Sequence, residues 1–215
     1  LYGISGFENY LLVFAVFAFA TIYLFLKAIY QQADSFPFSF FLFMALGYYF
    51  QTFNTVRYYL ALAIALFAIP YVLRKEWGKF ILLILLGATM HKSLLVVIPL
   101  YFLASRCWKK WQLVLAALFC STFFFLQGFY LKLVVFLYPT YEDTEYLEGG
   151  TSMINILRCA AVLVLALLCY KKCVKENIRN RFYFYCNMDA LAMYVYCSFL
   201  PIISRIGYYL TITHI

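Results

Sequence analysis

Residues Lys79 to Ala104 read KFILLILLGATMHKSLLVVIPLYFLA, an apolar run about as long as a membrane crossing with His91, Lys92 and Ser93 at its middle. A charged residue in such a place costs about 2.5–3.5 kcal/mol on insertion scales. A plain spanning helix therefore suits this stretch badly. Basic residues flank it on both sides: Arg74, Lys75 and Lys79 before it, Arg106, Lys109 and Lys110 after it. Its path through or into a bilayer fixes the topology of everything downstream.

Working outward, the 215 residues are 67% hydrophobic and 12% charged, with mean hydropathy +0.86. Soluble domains carry about 25% charged residues, so the composition predicts an all-α, polytopic transmembrane bundle, residues 1–215 forming a single transmembrane domain. The net charge of +8 is no sign of nucleic-acid binding, because the cations sit in short turns beside apolar runs. The seven cysteines are scattered and none forms a CxxC pair, which excludes a disulfide framework or a structural zinc site. The chain opens at Leu1 without a methionine and stops inside an apolar run, so a fragment lacking elements at both ends is expected.

Apolar runs predict helices at Tyr10–Leu26, Phe38–Phe53 and Tyr58–Leu73, then the broken segment, then Trp111–Gln127 with an interfacial continuation to Tyr138. Further helices are expected at Met153–Tyr170 and Phe182–Leu200, with a last one opening near Ser204. If the broken segment enters and leaves on one side as two half-helices, twelve of the 17 basic residues share that side: Lys27, the two flanking basic turns, and Lys171, Lys172, Lys175, Arg179 and Arg181. If it crosses once, four of these face eight, and the charge bias largely disappears. The expectation is a re-entrant pair with its turn at His91, reaching about 18 Å, near the midplane. The acidic loop with Glu142, Asp143, Glu145 and Glu148 falls on the opposite, outer side, together with Arg57 and Arg205.

An ionisable residue inside a membrane is a functional hypothesis by default. His91 reads as a proton donor, proton acceptor or anion ligand; without chemistry, it is a structural histidine bonded at a helix break. Lys92 either snorkels or binds phosphate, and Ser93 is placed to cap the second half-helix. Arg57, after Asn54 and Thr55, opens a helix at the outer face; it is an anchor or a fork of donors for a diphosphate. Arg205, followed by Tyr208 and Tyr209, stands likewise on the same side. Arg158 and Asp189 read as a structural ion pair between helices. The acidic loop is a solvated loop or the source of a general base. No HExxH, GxSxG, DxD or phosphate-binding glycine loop occurs, and no metal or cofactor is expected.

The stretches Asn54-Thr55-Val56-Arg57-Tyr58-Tyr59-Leu60-Ala61, Gly87-Ala88-Thr89-Met90-His91-Lys92-Ser93-Leu94 and Ser204-Arg205-Ile206-Gly207-Tyr208-Tyr209 together resemble the EpsG family of Wzy-like exopolysaccharide polymerases. Arg57, His91, Ser93, Arg205 and Tyr209 match the family's pattern; Tyr58 stands where glutamine is common, and Leu94 where a small residue is. The resemblance implies a multi-pass bacterial inner-membrane glycosyltransferase that joins oligosaccharides carried on undecaprenyl diphosphate, at the outer face and beside other polysaccharide-assembly membrane proteins. It implies catalytic roles for His91, Arg57 and Arg205, and substrate contacts from Asn54, Lys92, Ser93, Tyr208 and Tyr209. Other readings stay open: another polyprenyl-phosphate-dependent glycosyltransferase, a flippase or transporter of lipid-linked sugars, a membrane acyltransferase using His91, or a structural subunit.

Overall fold

The computed structural model describes residues 10–137, 153–198 and 202–215, and is all-helical there, with no strand among the described residues. The acidic loop, the Gly149-Gly150 pair and Pro201 lie outside the described residues. Two compact units form: one holds the chain through Tyr101 together with His214–Ile215, the other Phe102–Thr213. Among the described residues, two helices are long and apolar enough to cross a membrane, Leu12–Gln32 and Val56–Leu73.

The first unit is built on α4 (Val56–Leu73), which packs against α1 (Tyr10–Gln32) on one side and α5 (Trp77–Ala88) on the other. Its sequence explains the central position. Ala61, Ala63, Ala65 and Ala68 are all fully buried, and such small side chains let neighbouring backbones approach closely where van der Waals packing must hold helices together. Pro70 sits inside α4 and has no N–H to offer the Leu66 carbonyl. The buried amide of Gln32 fills that gap, its Nε2 donating to the Leu66 oxygen at 2.8 Å. This cross-helix bond stabilises by about 0.5–1.5 kcal/mol, and losing it would strand a buried carbonyl.

Two expected helices changed length. Lys27 lies within α1 rather than beyond its end, because its ammonium rests over the Tyr23 and Phe67 rings at 5.4 and 5.5 Å. The helix expected over Phe38–Phe53 is broken into α2 (Phe36–Ala45) and α3 (Tyr48–Gln51), with Gly47 left-handed between them at φ 79°.

The decisive segment is a helical hairpin. After Glu76, α5 rises to Ala88; a 3-10 turn covers Lys92–Val96, and α6 runs Val97–Ala104. Two contacts show that the arms are antiparallel. Phe80, near the start of α5, stacks on Tyr101 at 6.1 Å between ring centroids, and Gly87, near its end, faces Leu94. At the base, Lys79 pairs with Glu76 at 2.6 Å, a hydrogen bond that holds the carboxylate below its ordinary range.

The second unit centres on α10 (Ile178–Tyr196), which packs on α7 (Lys110–Phe125), α9 (Met153–Leu168) and α11 (Ile202–Thr211). α8 (Gln127–Leu137) folds back on α7, its Tyr130 stacked on Phe123 at 4.2 Å. α10 starts four residues before the expected Phe182 because Asn177 caps it, accepting from the Arg179 N–H at 2.9 Å. Asn187, buried on α10, donates from Nδ2 to the Cys159 carbonyl of α9 at 3.0 Å. Among the described residues, no salt bridge between Arg158 and Asp189 accompanies it.

Candidate functional site

The first turn of α4 carries one end of the candidate site. Arg57 is its second residue and is exposed, while Tyr58 beside it is buried. No acidic residue lies in this turn. The guanidinium therefore adds to the partial positive charge of the unpaired helix N–H groups rather than cancelling it, and this helix end favours an anion. Asn54 is exposed just before it, with Nδ2 3.4 Å from the Gln51 side-chain oxygen.

The hairpin tip supplies the other end. α5 unwinds after Ala88, with the Met90 and His91 N–H groups both turning back to the Gly87 carbonyl at 3.0 and 3.2 Å. His91 is then extended, at φ −150° and ψ 109°. Its ring meets the Tyr58 ring edge-on, 5.4 Å between centroids. Its Nδ1 is 2.7 Å from the Ser93 hydroxyl oxygen. If the hydroxyl donates, the ring proton sits on Nε2; if Nδ1–H donates, Nε2 is left as an acceptor. Lys92 is exposed between them.

One expectation about this tip changes. Ser93 makes no cap to the second half-helix, because the residue in the cap position is His91 and the serine hydroxyl is engaged with the imidazole. The tip stands level with the start of α4. The rising arm starts at Trp77, and Leu73 ends α4. Counted from that base at ~1.5 Å per residue, His91 and Tyr58 both stand about 21–23 Å up. Gly87 makes the close approach achievable, since a Cβ there would collide with Leu94 and stand 3.1 Å from Ile64 Cδ1 of α4. The imidazole thus lies beside the first turn of α4, against Tyr58, the residue that follows Arg57 in the chain.

Arg205, Tyr208 and Tyr209 share α11 in the second unit. Arg205 is exposed, Tyr208 half-buried and Tyr209 fully buried. The Tyr209 ring packs with no exposed surface, while Tyr208 presents part of its ring. α11 approaches α10 at Gly207, where a Cβ would collide with the ring end of Tyr194. The structure therefore brings Tyr58, His91 and Ser93 together, with Arg57 preceding Tyr58 on α4 and Lys92 between His91 and Ser93. Arg205, Tyr208 and Tyr209 lie instead on one helix of the second unit.

Two positions escaped the sequence reading: Tyr58, the aromatic partner of His91, and Gln32, which secures the α1–α4 packing. Tyr58 stood in plain view beside Arg57, but only as the residue where glutamine is common. Gln32 was visible as an amide at the end of an apolar run, though nothing linked it to Pro70. Among the described residues no three His, Cys, Asp or Glu side chains gather as a metal site would require.

No curated protein and no solved structure matches the chain. The model of the EpsG family matches residues 4–215, essentially its whole length, and the protein therefore belongs to the EpsG family.

Proposed function

We propose that the protein is a Wzy-like polysaccharide polymerase, a multi-pass protein of the bacterial inner membrane acting on glycans carried by undecaprenyl diphosphate. Family membership supports the class. The observation that carries the site is the position of His91, held by Ser93 and Tyr58 beside the helix turn that presents Arg57. In this reading the hairpin enters from the cytoplasmic side, and its tip opens towards the outer face.

The reaction needs a base and an anion holder. A sugar hydroxyl of one lipid-linked unit attacks the anomeric carbon of the growing glycan; a glycosidic bond forms as the bond from carbon to diphosphate oxygen breaks. The electron pair leaves with undecaprenyl diphosphate, and the hydroxyl proton passes to His91 Nε2, freed as an acceptor when Nδ1–H donates to Ser93. Arg57 supports the diphosphate as it leaves, and its fork of donors suits two phosphate oxygens. Asn54 and Lys92 flank the same end as substrate contacts. Arg205 is the second guanidinium proposed to act on the diphosphate, with Tyr208 beside it. No metal enters this scheme.

A second reading, a transporter of lipid-linked sugars, draws on the discontinuous helix, a device that holds cargo in many transporters. One experiment separates the two. Purified full-length chain carrying Arg57→Ala, Arg57→Lys or Arg205→Ala is supplied with lipid-linked repeat units, and polymer length is measured. The alanine variants should lose about 10²–10³-fold in rate, and Arg57→Lys should recover only part of it. Normal long polymer from both alanine variants would overturn the assignment. In cells, single lipid-linked repeats should accumulate at the outer face; accumulation at the inner face would indicate transport.

A further inference from the structure

We infer that one end of the second unit is a built docking surface for anionic phospholipid headgroups. The two sequence-remote stretches that form it read RCWK (Arg106–Lys109) and YKKCVKENIRNR (Tyr170–Arg181). Together they carry seven cationic side chains against one carboxylate, that of Glu176.

The structure draws these stretches together on α10. The second begins as a π turn over Tyr170–Val174, pinned to α10 by two contacts. The Tyr170 ring meets Phe184 edge-on at 5.6 Å, and Asn180 Nδ2 donates to the Cys173 carbonyl at 3.1 Å. From the other stretch, the backbone of Trp108 approaches the Tyr185 hydroxyl of α10. Trp108 in turn donates from its indole to the Leu103 carbonyl at 3.0 Å, and Arg106 lies over the Phe102 ring at 5.1 Å. The turns are therefore held in place rather than left as free tails.

Lys171, Lys172 and Lys175 are exposed, as are Arg106 and Lys109. Like charges repel one another over a Debye length of about 8 Å, and the π turn with the residue that follows it carries three lysines within five residues. An anionic surface turns that repulsion into attraction worth roughly 1 kcal/mol per cation. The rim fits a bilayer rather than a soluble anion. Tyr170, Leu168 and Ile178 expose 38%, 78% and 62% of their surface beside the cations, and Trp108 and Tyr170 are the residue types that settle at headgroup level. Phosphate diesters of the leaflet, with acyl chains against the apolar rim, satisfy both features at once.

The test uses purified full-length chain in a neutral detergent, titrated with phosphatidylglycerol or phosphatidylcholine, with retained lipid and Tm as readouts. Phosphatidylglycerol should be retained and raise Tm, phosphatidylcholine should do neither, and the preference should collapse in about 1 M salt, where the Debye length is ~3 Å. The combined variant Lys171→Gln, Lys172→Gln, Lys175→Gln should lose roughly a hundredfold in phosphatidylglycerol affinity. Equal retention of the two lipids, salt-independent preference, or unchanged affinity in the variant would each overturn the proposal. So would saturation of the wild-type surface by inorganic phosphate or polyglutamate as readily as by phosphatidylglycerol. If the triple variant fails to fold, the lipid selectivity and salt dependence of the wild-type chain decide the matter.

Discussion

Gly87 and Gly207 are the two glycines, among the described residues, at which an added Cβ would collide with a neighbour, and the two contacts serve different ends. At Gly87 the obstacles to a side chain are aliphatic, Leu94 and Ile64; at Gly207 the obstacle is the ring of Tyr194. Beyond Gly87 the chain unwinds and exposes polar groups, with His91 and Ser93 both half-buried. Beyond Gly207 it stays helical and sinks inward, with Tyr209, Leu210 and Thr211 all fully buried. The same device, a missing Cβ, brings a reactive turn to its place in one unit and a packed helix to its place in the other. Polar tip and aromatic crossing should accordingly fail in different ways when altered.

The largest effect is expected at the tip. His91→Ala removes the proposed base and should lower polymerisation by about 10²–10⁴-fold. Tm should barely move, because the imidazole is only half-buried and touches Tyr58 through one edge. Single-turnover assays with lipid-linked units, run beside thermal unfolding, check both halves. A variant that unfolds rather than losing rate would make His91 a structural residue and erase the contrast between the crossings.

Next come the glycines themselves. Inserting a methyl group into a packed contact costs about 1–3 kcal/mol. Gly207→Ala should lie at the upper end, since Tyr194 is a rigid, buried ring whose end must shift as a body. Gly87→Ala should cost less in stability, because Leu94 can change rotamer, yet more in activity, because the shift displaces the turn that carries His91. Opposite rankings in the unfolding and polymerisation assays are the expected outcome. Equal rankings would mean that both crossings only pack.

How much of this was legible in the chain follows from which signals are local. The break at His91 was, because a polar triplet in an apolar run has one low-cost solution, a turn, and the flanking cations favoured returning to the same side. The hairpin seen between Phe80 and Tyr101 agrees with that reading. The height of the turn was not legible: it depends on where α5 begins relative to the end of α4, and on the short length of α4, which only packing reveals. The burial of Tyr209 was not legible for a related reason. A tyrosine beside an arginine looks the same in sequence whether its ring faces solvent or core, and Gly207, two positions earlier, was the one local hint of a buried crossing. Gln32 and Pro70 lie 38 positions apart, so the carbonyl that joins them has no sequence signature at all.

The smallest effect sharpens the comparison most. Ser93→Ala leaves the hairpin intact, since the serine hydroxyl caps no helix end and its bond is to the His91 ring. What it removes is one hydrogen bond of net worth about 1 kcal/mol, which at the tip orients an imidazole and selects which nitrogen holds the proton. The rate should fall by about tenfold while Tm stays put. Ser93→Thr keeps the hydroxyl and should restore most of the rate. If instead Ser93→Ala abolishes activity as fully as His91→Ala, the serine is acting on substrate directly, and the pair behaves as nucleophile and base rather than as base and its positioning residue.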